Sequence, residues 1–259
     1  MSDAATMSSR CRHARNRRPS ARPAMWANGR IARALAAIRA VLLGLVAAQL
    51  THTQAADLRH IKVGAPDLEV FYYQGVVTNG DALRLQAELA KLAPNKRVAI
   101  LLNSGGGMYL EGLALGRLFY KAKISTFVVG SGGICLSSCA MAFLGGRDSV
   151  TGEPLRAIIQ GGSLGFHQFR TTFPPERQFT RADLERSVGD VQKMVFDDLK
   201  YLKEINQDPR TYRRQISAPA DSMLFIRDSA ALENGFQVLN AEARSLISPG
   251  AIFDRMKAK

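Results

Sequence analysis

The sequence predicts an α/β protein with a mostly parallel sheet flanked by helices. Three short segments, at 98–102, 124–129 and 157–159, consist mainly of apolar and β-branched residues. Strands without polar alternation are typical of sheets that are covered on both faces. Segments with helical spacing of leucines, at 80–92 and 110–120, alternate with these strands. This alternation indicates an α/β arrangement.

The remaining elements are predicted from similar signals. Thr180 and Asp183 form a capping-box-like start for a long helix that Asp208-Pro209 ends, and Gly235 is placed to cap a short helix. The other predicted elements are strands at 68–78, 164–169, 223–226 and 236–239, helices at 140–144 and 229–234, and loops at 147–154 and 173–178.

Residues 1–56 are predicted to be a signal peptide or disordered basic leader, and residues 57–259 a single domain. Nine arginines precede an apolar run of 11 residues, Ala40–Leu50, and small residues follow it. This layout is typical of a secretory signal peptide, with cleavage near Ala55 and Ala56 and with Met25 as an alternative start. We expect export to the periplasm. The alternative is an inner-membrane anchor with an uncleaved leader, although a span needs about 20 apolar residues.

Charge and motifs exclude several classes of partner. The net charge of +13 is concentrated in the leader, and no basic cluster with interleaved aromatic residues follows it, so we expect no nucleic-acid partner. No Walker motif is present, and no ATPase partner is evident. We expect no cofactor and no metal, because the Cys135-x-x-x-Cys139 spacing lacks a second ligand pair.

Two serines, Ser137 and Ser138, lie where an apolar run passes through glycines into a small-residue segment that is predicted to be a helix. Hydrolases often place a nucleophile at such a turn, because free N–H groups there stabilise a developing oxyanion. The alternative is a serine that caps a helix after a glycine turn. In an oxidising compartment the flanking Cys135 and Cys139 are a possible disulfide pair, since residues four apart on a helix have Cα atoms about 6 Å apart.

The histidines leave one candidate for a general base. Two of the four, His13 and His52, lie in the leader, and His60 stands where no order is expected. His167 follows an apolar, strand-like segment. Its alternative interpretation is a hydrogen-bonded structural residue.

A second glycine cluster, Asn103-Ser104-Gly105-Gly106-Gly107, also follows a strand and precedes a helix. Such a loop brings backbone N–H groups close to a ligand, since glycine has no side chain. The alternative is an ordinary tight turn. A phosphate-binding loop is disfavoured, because Met108 and Tyr109 stand where such a loop has lysine and serine or threonine.

Together these motifs resemble the ClpP/crotonase superfamily and, within it, the exported ClpP-like serine protease relatives. The resemblance covers roughly residues 67–239, and its motifs occur in the same order as in that family. They are Asn103–Gly107, Cys135-x-Ser137-x-Cys139, Gly145-Gly146, His167-Gln168 and Ala231–Gly235. The resemblance implies a ClpP/crotonase-like ββα spiral. It also implies a peptide or protein substrate and a possible homo-oligomer.

The resemblance also implies roles for individual residues. Ser137 would be the nucleophile, His167 the general base, and the N–H groups of Gly107 and Ser138 the oxyanion hole. The acidic partner of the base would fall at Met223, which cannot accept a strong charged hydrogen bond. Asp221 is two residues away and is the candidate to replace it. Otherwise the site is a Ser–His dyad.

The sequence therefore predicts an exported serine hydrolase, most simply a ClpP-like peptidase with a Ser–His dyad or triad. The alternative is a non-catalytic peptide-binding or scaffold protein on the same fold with a degenerate site, which the missing acid motivates. A crotonase-like acyl-CoA enzyme is a third hypothesis. Export argues against it, since CoA thioesters are cytosolic.

Overall fold

The computed structural model describes residues 56–169, 176, 178–208, 211, 213 and 216–249. The predicted leader up to Ala55 and most of the predicted loop at 173–178 lie outside these residues. Within the described part of the chain, no helix is both long enough and apolar enough to cross a membrane.

The described chain folds into strands and helices that alternate over much of its length. The strands are β1 (Asp57–Ile61), β2 (Leu68–Gln74), β3 (Arg97–Asn103), β4 (Ser125–Val128), β5 (Ile134–Leu136), β6 (Arg156–Ile159), β7 (Ser163–Phe166), β8 (Leu224–Ile226), β9 (Gln237–Asn240) and β10 (Ser245–Ile247). The helices are α1 (Asp81–Leu89), α2 (Tyr109–Ala122), α3 (Ser138–Phe143), α4 (Arg181–Glu204) and α5 (Asp228–Glu233).

The larger sheet confirms the prediction of an α/β protein with a mostly parallel sheet. Its order is β1-β2-β3-β4-β6-β9-β10. The central strands β2, β3, β4, β6 and β9 each pair in parallel with the next one in this order. At the two edges, β1 pairs antiparallel with β2, and β10 pairs antiparallel with β9. The central strands are almost fully buried, which explains why they carry so few polar residues.

The edge strands β1 and β10 were not predicted, because β1 mixes polar and apolar residues without regular alternation and β10 is only three residues long. The expectation that His60 lies in a region without order is therefore wrong. His60 stacks on Phe71, with ring centroids 4.7 Å apart, and lies 2.8 Å from Glu69. A hydrogen bond from Lys96 is the main factor that lowers the pKa of Glu69.

A second sheet has three strands in the order β5-β7-β8, and the two serines directly follow its strand β5. Strand β5 runs parallel to β7, and β8 runs antiparallel to β7. Residue Ser104, just beyond β3, forms a parallel bridge to Cys135 in β5. The end of β3 therefore connects the two sheets and brings the glycine cluster to the serine turn.

The described helices pack against the face of the larger sheet that also contacts the second sheet. Helix α3 lies directly on α2 because glycines allow close approach: a Cβ on Gly112 would lie 2.4 Å from the Ser138 carbonyl oxygen. The start of α4 is confirmed, since Thr180 and Asp183 form the predicted capping box. Near its other end, the buried Tyr201 donates a hydrogen bond of 2.7 Å to the Met141 carbonyl oxygen. Burial raises the pKa of Tyr201, so its hydroxyl stays protonated and anchors α3.

Candidate active site

Ser137 occupies a sharp turn between β5 and α3. Its backbone has φ 56° and ψ −123°, a conformation that costs a non-glycine residue about 1–3 kcal/mol. The turn is held at both sides, since the Ser137 N–H donates to the Gly165 carbonyl at 2.9 Å and the Met141 N–H donates to the Ser137 carbonyl at 3.2 Å. A strained serine between a strand and a helix is the arrangement that exposes a nucleophile in many hydrolases.

His167 lies next to this turn because β5 and β7 are parallel neighbours. Leu136 pairs with Gly165, so the residues that follow both strands emerge at the same edge of the sheet. The prediction that the strand continues to residue 169 is wrong, because β7 ends at Phe166, where its pairing with β8 also ends. His167 therefore stands just beyond the strand, at the carboxyl ends where ligands bind in parallel sheets.

A small cavity connects the serine and the histidine. Its volume is about 10 Å³, roughly the room of one water molecule. It is lined by Tyr109, Ser137, Met141, Phe166, His167 and Phe169. The structure thus brings the two predicted catalytic side chains to one cavity, whose other walls are apolar or aromatic.

The glycine cluster lies against the serine turn. A Cβ on Gly106 would lie 2.7 Å from Ser137 Cβ and 3.3 Å from the Ser138 nitrogen. The Gly106 carbonyl accepts a hydrogen bond of 2.9 Å from the Val77 N–H. Since C=O and the following N–H point in opposite directions across a trans peptide, the Gly107 N–H points away from Val77. No hydrogen bond among the described residues uses the Gly107 N–H as donor.

Asn103 and Ser104 hold this cluster in place, a role that the sequence analysis did not assign. The Ile134 N–H donates to Asn103 Oδ1 at 3.2 Å, and the Gly106 N–H donates to Ser104 Oγ at 3.1 Å. The Ser104 backbone also bonds on both sides to β5, through Ile134 and Leu136. The polar pair thus fixes the glycine cluster relative to the strand that ends at the nucleophile candidate.

The side chain of Ser138 lies away from the cavity. Its hydroxyl is buried against α2 and does not line the cavity. Ser138 is the first residue of α3, and N–H groups in the first turn of a helix have no partner within that helix. The Ser138 N–H and that of Gly107 are the two donors that the family resemblance implies for an oxyanion, and that role stays a prediction.

The structure does not join the predicted acid to the histidine. Asp221 is exposed, and no hydrogen bond or ion pair of the described residues joins it to His167. The Nδ1 atom of His167 is buried without a hydrogen-bond partner. Met223 lies beside β7, since a Cβ on Gly165 would be 2.9 Å from Met223 Sδ. When the β7–β8 register is continued by one residue, Met223 stands opposite His167.

Cys135 and Cys139 flank the serine turn from opposite sides, one in β5 and one in α3. Both side chains are buried, their sulfur atoms lie at disulfide distance, and their Cα atoms are 5.2 Å apart. A bond between them would tie the end of the strand to the first turn of the helix and so restrain Ser137.

Removing this link is expected to lower the free energy of unfolding. A closed loop of this short length contributes about 2 kcal/mol by the chain-entropy relation. Urea denaturation should therefore show a lower midpoint for the variant with both Cys135→Ala and Cys139→Ala. A reductant should lower the midpoint of the wild type and leave that of the double variant unchanged. Equal midpoints for the two proteins without reductant would contradict a bond at this place.

The comparisons with known proteins leave the family open. No protein-family model matches the chain, and no curated protein matches it. Within the described part of the chain, no group of three or more histidine, cysteine, aspartate or glutamate side chains is arranged to hold a metal ion. The interpretation of the site therefore depends on its geometry.

Proposed function

We propose that this protein is an exported serine hydrolase, a ClpP-like peptidase on a ClpP/crotonase-like ββα spiral, in which Ser137 and His167 act as a catalytic dyad. The observation that carries the proposal is the single cavity lined by both side chains, with Ser137 in a strained strand-to-helix turn. Export rests on the basic, apolar and small-residue order of the leader.

The proposed reaction begins with attack of Ser137 Oγ on the carbonyl carbon of a peptide. His167 takes the hydroxyl proton as the O–C bond forms, and the carbonyl electron pair moves onto the oxygen. The Gly107 and Ser138 N–H groups donate to this oxyanion, and one such donor is worth about 2.7–4 kcal/mol. Collapse of the intermediate breaks the C–N bond, and His167 returns the proton to the leaving amine. Water then releases the acyl group by the same steps.

Covalent labelling tests the proposal without a turnover assay. A fluorophosphonate probe is expected to modify the full chain once, and peptide mass spectrometry is expected to place the adduct on Ser137. The His167→Ala variant should react much more slowly, whereas His60→Ala should react as the wild type does, because His60 lies on β1 outside the cavity. An adduct on another serine, or none, would refute the assignment.

An acid introduced at residue 223, opposite His167, is expected to increase the hydrolysis rate. In the Met223→Asp variant a carboxylate can accept a hydrogen bond from the buried Nδ1–H and orient the imidazole. Loss of such an acid from a triad costs on the order of 10⁴ in rate, so even imperfect geometry is expected to raise kcat/KM by about 10- to 100-fold. The ester hydrolysis rate measures this change.

The matched control is Met223→Leu, which preserves the apolar volume and offers no acceptor. An aspartate variant that hydrolyses no faster than the leucine variant would show that residue 223 does not act on His167.

A second candidate is a non-catalytic peptide-binding protein with the same fold. The specific observation in its favour is the missing hydrogen-bond partner on His167 Nδ1. Calorimetry distinguishes the two candidates: peptide binding that Ser137→Ala leaves unchanged, without labelling of Ser137, supports the binding protein.

A further inference from the structure

The walls of the cavity differ in how far they can move. Met141 and Phe166 form buried walls, each about 1% exposed. Met141 belongs to α3, whose carbonyl at this residue is held by Tyr201, and Phe166 lies in β7 between β5 and β8. Because displacing well-packed core side chains is costly, these two walls cannot recede to admit a large group.

Besides Ser137 and His167, the other described walls are a pair of aromatic rings at the surface. Tyr109, the first residue of α2, and Phe169 are partly buried, and their ring centroids lie 5.7 Å apart at an interplanar angle of 49°. Phe169 is held near this place because its neighbour Gln168 forms backbone and side-chain hydrogen bonds to Ala218 and Ile216. Among the described walls, these two rings are therefore the ones whose separation would enlarge the cavity.

The cavity also lacks groups that would receive a charge. Among the described residues that line it, none carries a carboxylate, ammonium or guanidinium group. A lysine or glutamate side chain placed there would lose its hydration without gaining an ion pair, which is strongly unfavourable. The walls therefore favour an uncharged group.

We propose that the Tyr109–Phe169 ring pair limits the substrate to peptides with a small, uncharged side chain, such as that of alanine, on the acyl side of the cleaved bond. The group bonded to Ser137 lies at this cavity, which as it stands accommodates about one water molecule. A leucine or phenylalanine side chain could therefore enter it only by displacing its walls. This inference rests on the proposed function, since it concerns the acyl group that Ser137 receives.

A series of peptidyl aminoalkylphosphonate diphenyl esters tests the proposal. The reagents differ only in the side chain next to phosphorus, which is that of alanine, leucine, phenylalanine or lysine. In the reaction the Ser137 Oγ–P bond forms and one P–O bond to phenoxide breaks, while the serine proton passes through His167 to the leaving phenol. The second-order inactivation rate constant is measured for the full chain.

The wild type is expected to react at least about tenfold faster with the alanine reagent than with the phenylalanine or lysine reagents, a ratio typical of a pocket that excludes a few methylenes. Phe169→Ala and Tyr109→Ala should each raise the phenylalanine-to-alanine ratio about tenfold. The matched controls are Phe225→Ala and Leu110→Ala, which remove exposed side chains outside the cavity and should leave the ratio unchanged.

The outcomes separate this inference from the proposed function. Equal rate constants across the series, or ratios that neither cavity variant changes, would overturn the ring-pair limit while Ser137 is still modified. If no reagent, including the fluorophosphonate probe, modifies Ser137, then the proposed function fails and the inference fails with it.

Discussion

Replacing Ser137 by alanine is expected to lower kcat/KM for an N-acyl-alanine ester by about 10⁴-fold or more. Removing the nucleophile leaves no oxygen to form the acyl bond, and effects of this size are known for serine hydrolases. The N–H groups of Gly107 and Ser138 remain in the variant, so a small residual rate over that in water is expected. Initial rates at several substrate concentrations measure the effect.

The control for this prediction is Ser131→Ala. Ser131 is exposed, lies in the same glycine-rich segment and does not line the cavity, so its variant should retain the wild-type rate. If Ser137→Ala hydrolyses the ester as fast as Ser131→Ala does, the turn between β5 and α3 is not a nucleophile turn.

Gly106→Ala is expected to lower kcat by about 10²–10³-fold, the cost of losing one oxyanion donor. Its Cβ would lie 2.7 Å from both the Leu136 carbonyl oxygen and Ser137 Cβ, so backbone must shift at the serine turn. The residue also has φ 97°, which is strained for alanine. Both effects displace the adjacent Gly107 N–H relative to Ser137.

The matched control is Gly105→Ala, in the same glycine cluster. A Cβ on Gly105 would meet nothing within 4 Å, and this glycine does not have a positive φ, so Gly105→Ala should retain nearly the full rate. Steady-state kinetics of the two variants provide the test. Equal kcat values would show that the cluster is an ordinary turn, which is the alternative that the sequence analysis left open.

The elements that the sequence predicted share strong local signals. The buried strands β3, β4 and β6 were predicted from their apolar runs, and the start of α4 from its capping box. Gly235 has φ 80° and ends α5 as expected. The edge strands β1 and β10 were missed because each is held by pairing with a neighbouring strand, while β1 has no regular alternation and β10 has only three residues.

The site was predicted in part. Ser137, His167 and the glycine cluster were predicted as candidates from their positions next to strands and from the family resemblance. The other residues that line the cavity were not predicted; they are Tyr109, Met141, Phe166 and Phe169. Tyr109 lies two residues after the glycine cluster and Phe169 two residues after His167, and this proximity was the available signal. Asn103 and Ser104 belong to the predicted loop motif, but their hydrogen bonds to β5 and within the loop were not predicted.

The sequence by itself determined the alternation of buried strands with helices, the serine turn and the glycine cluster, because each depends on residues close together in the chain. Only the tertiary structure decided which of these segments meet. The parallel pairing of β5 with β7 brings His167 to Ser137, and the pairing of β7 with β8 sets Met223 opposite the histidine by the continued register. These contacts depend on sheet register between distant segments, which local periodicity does not encode.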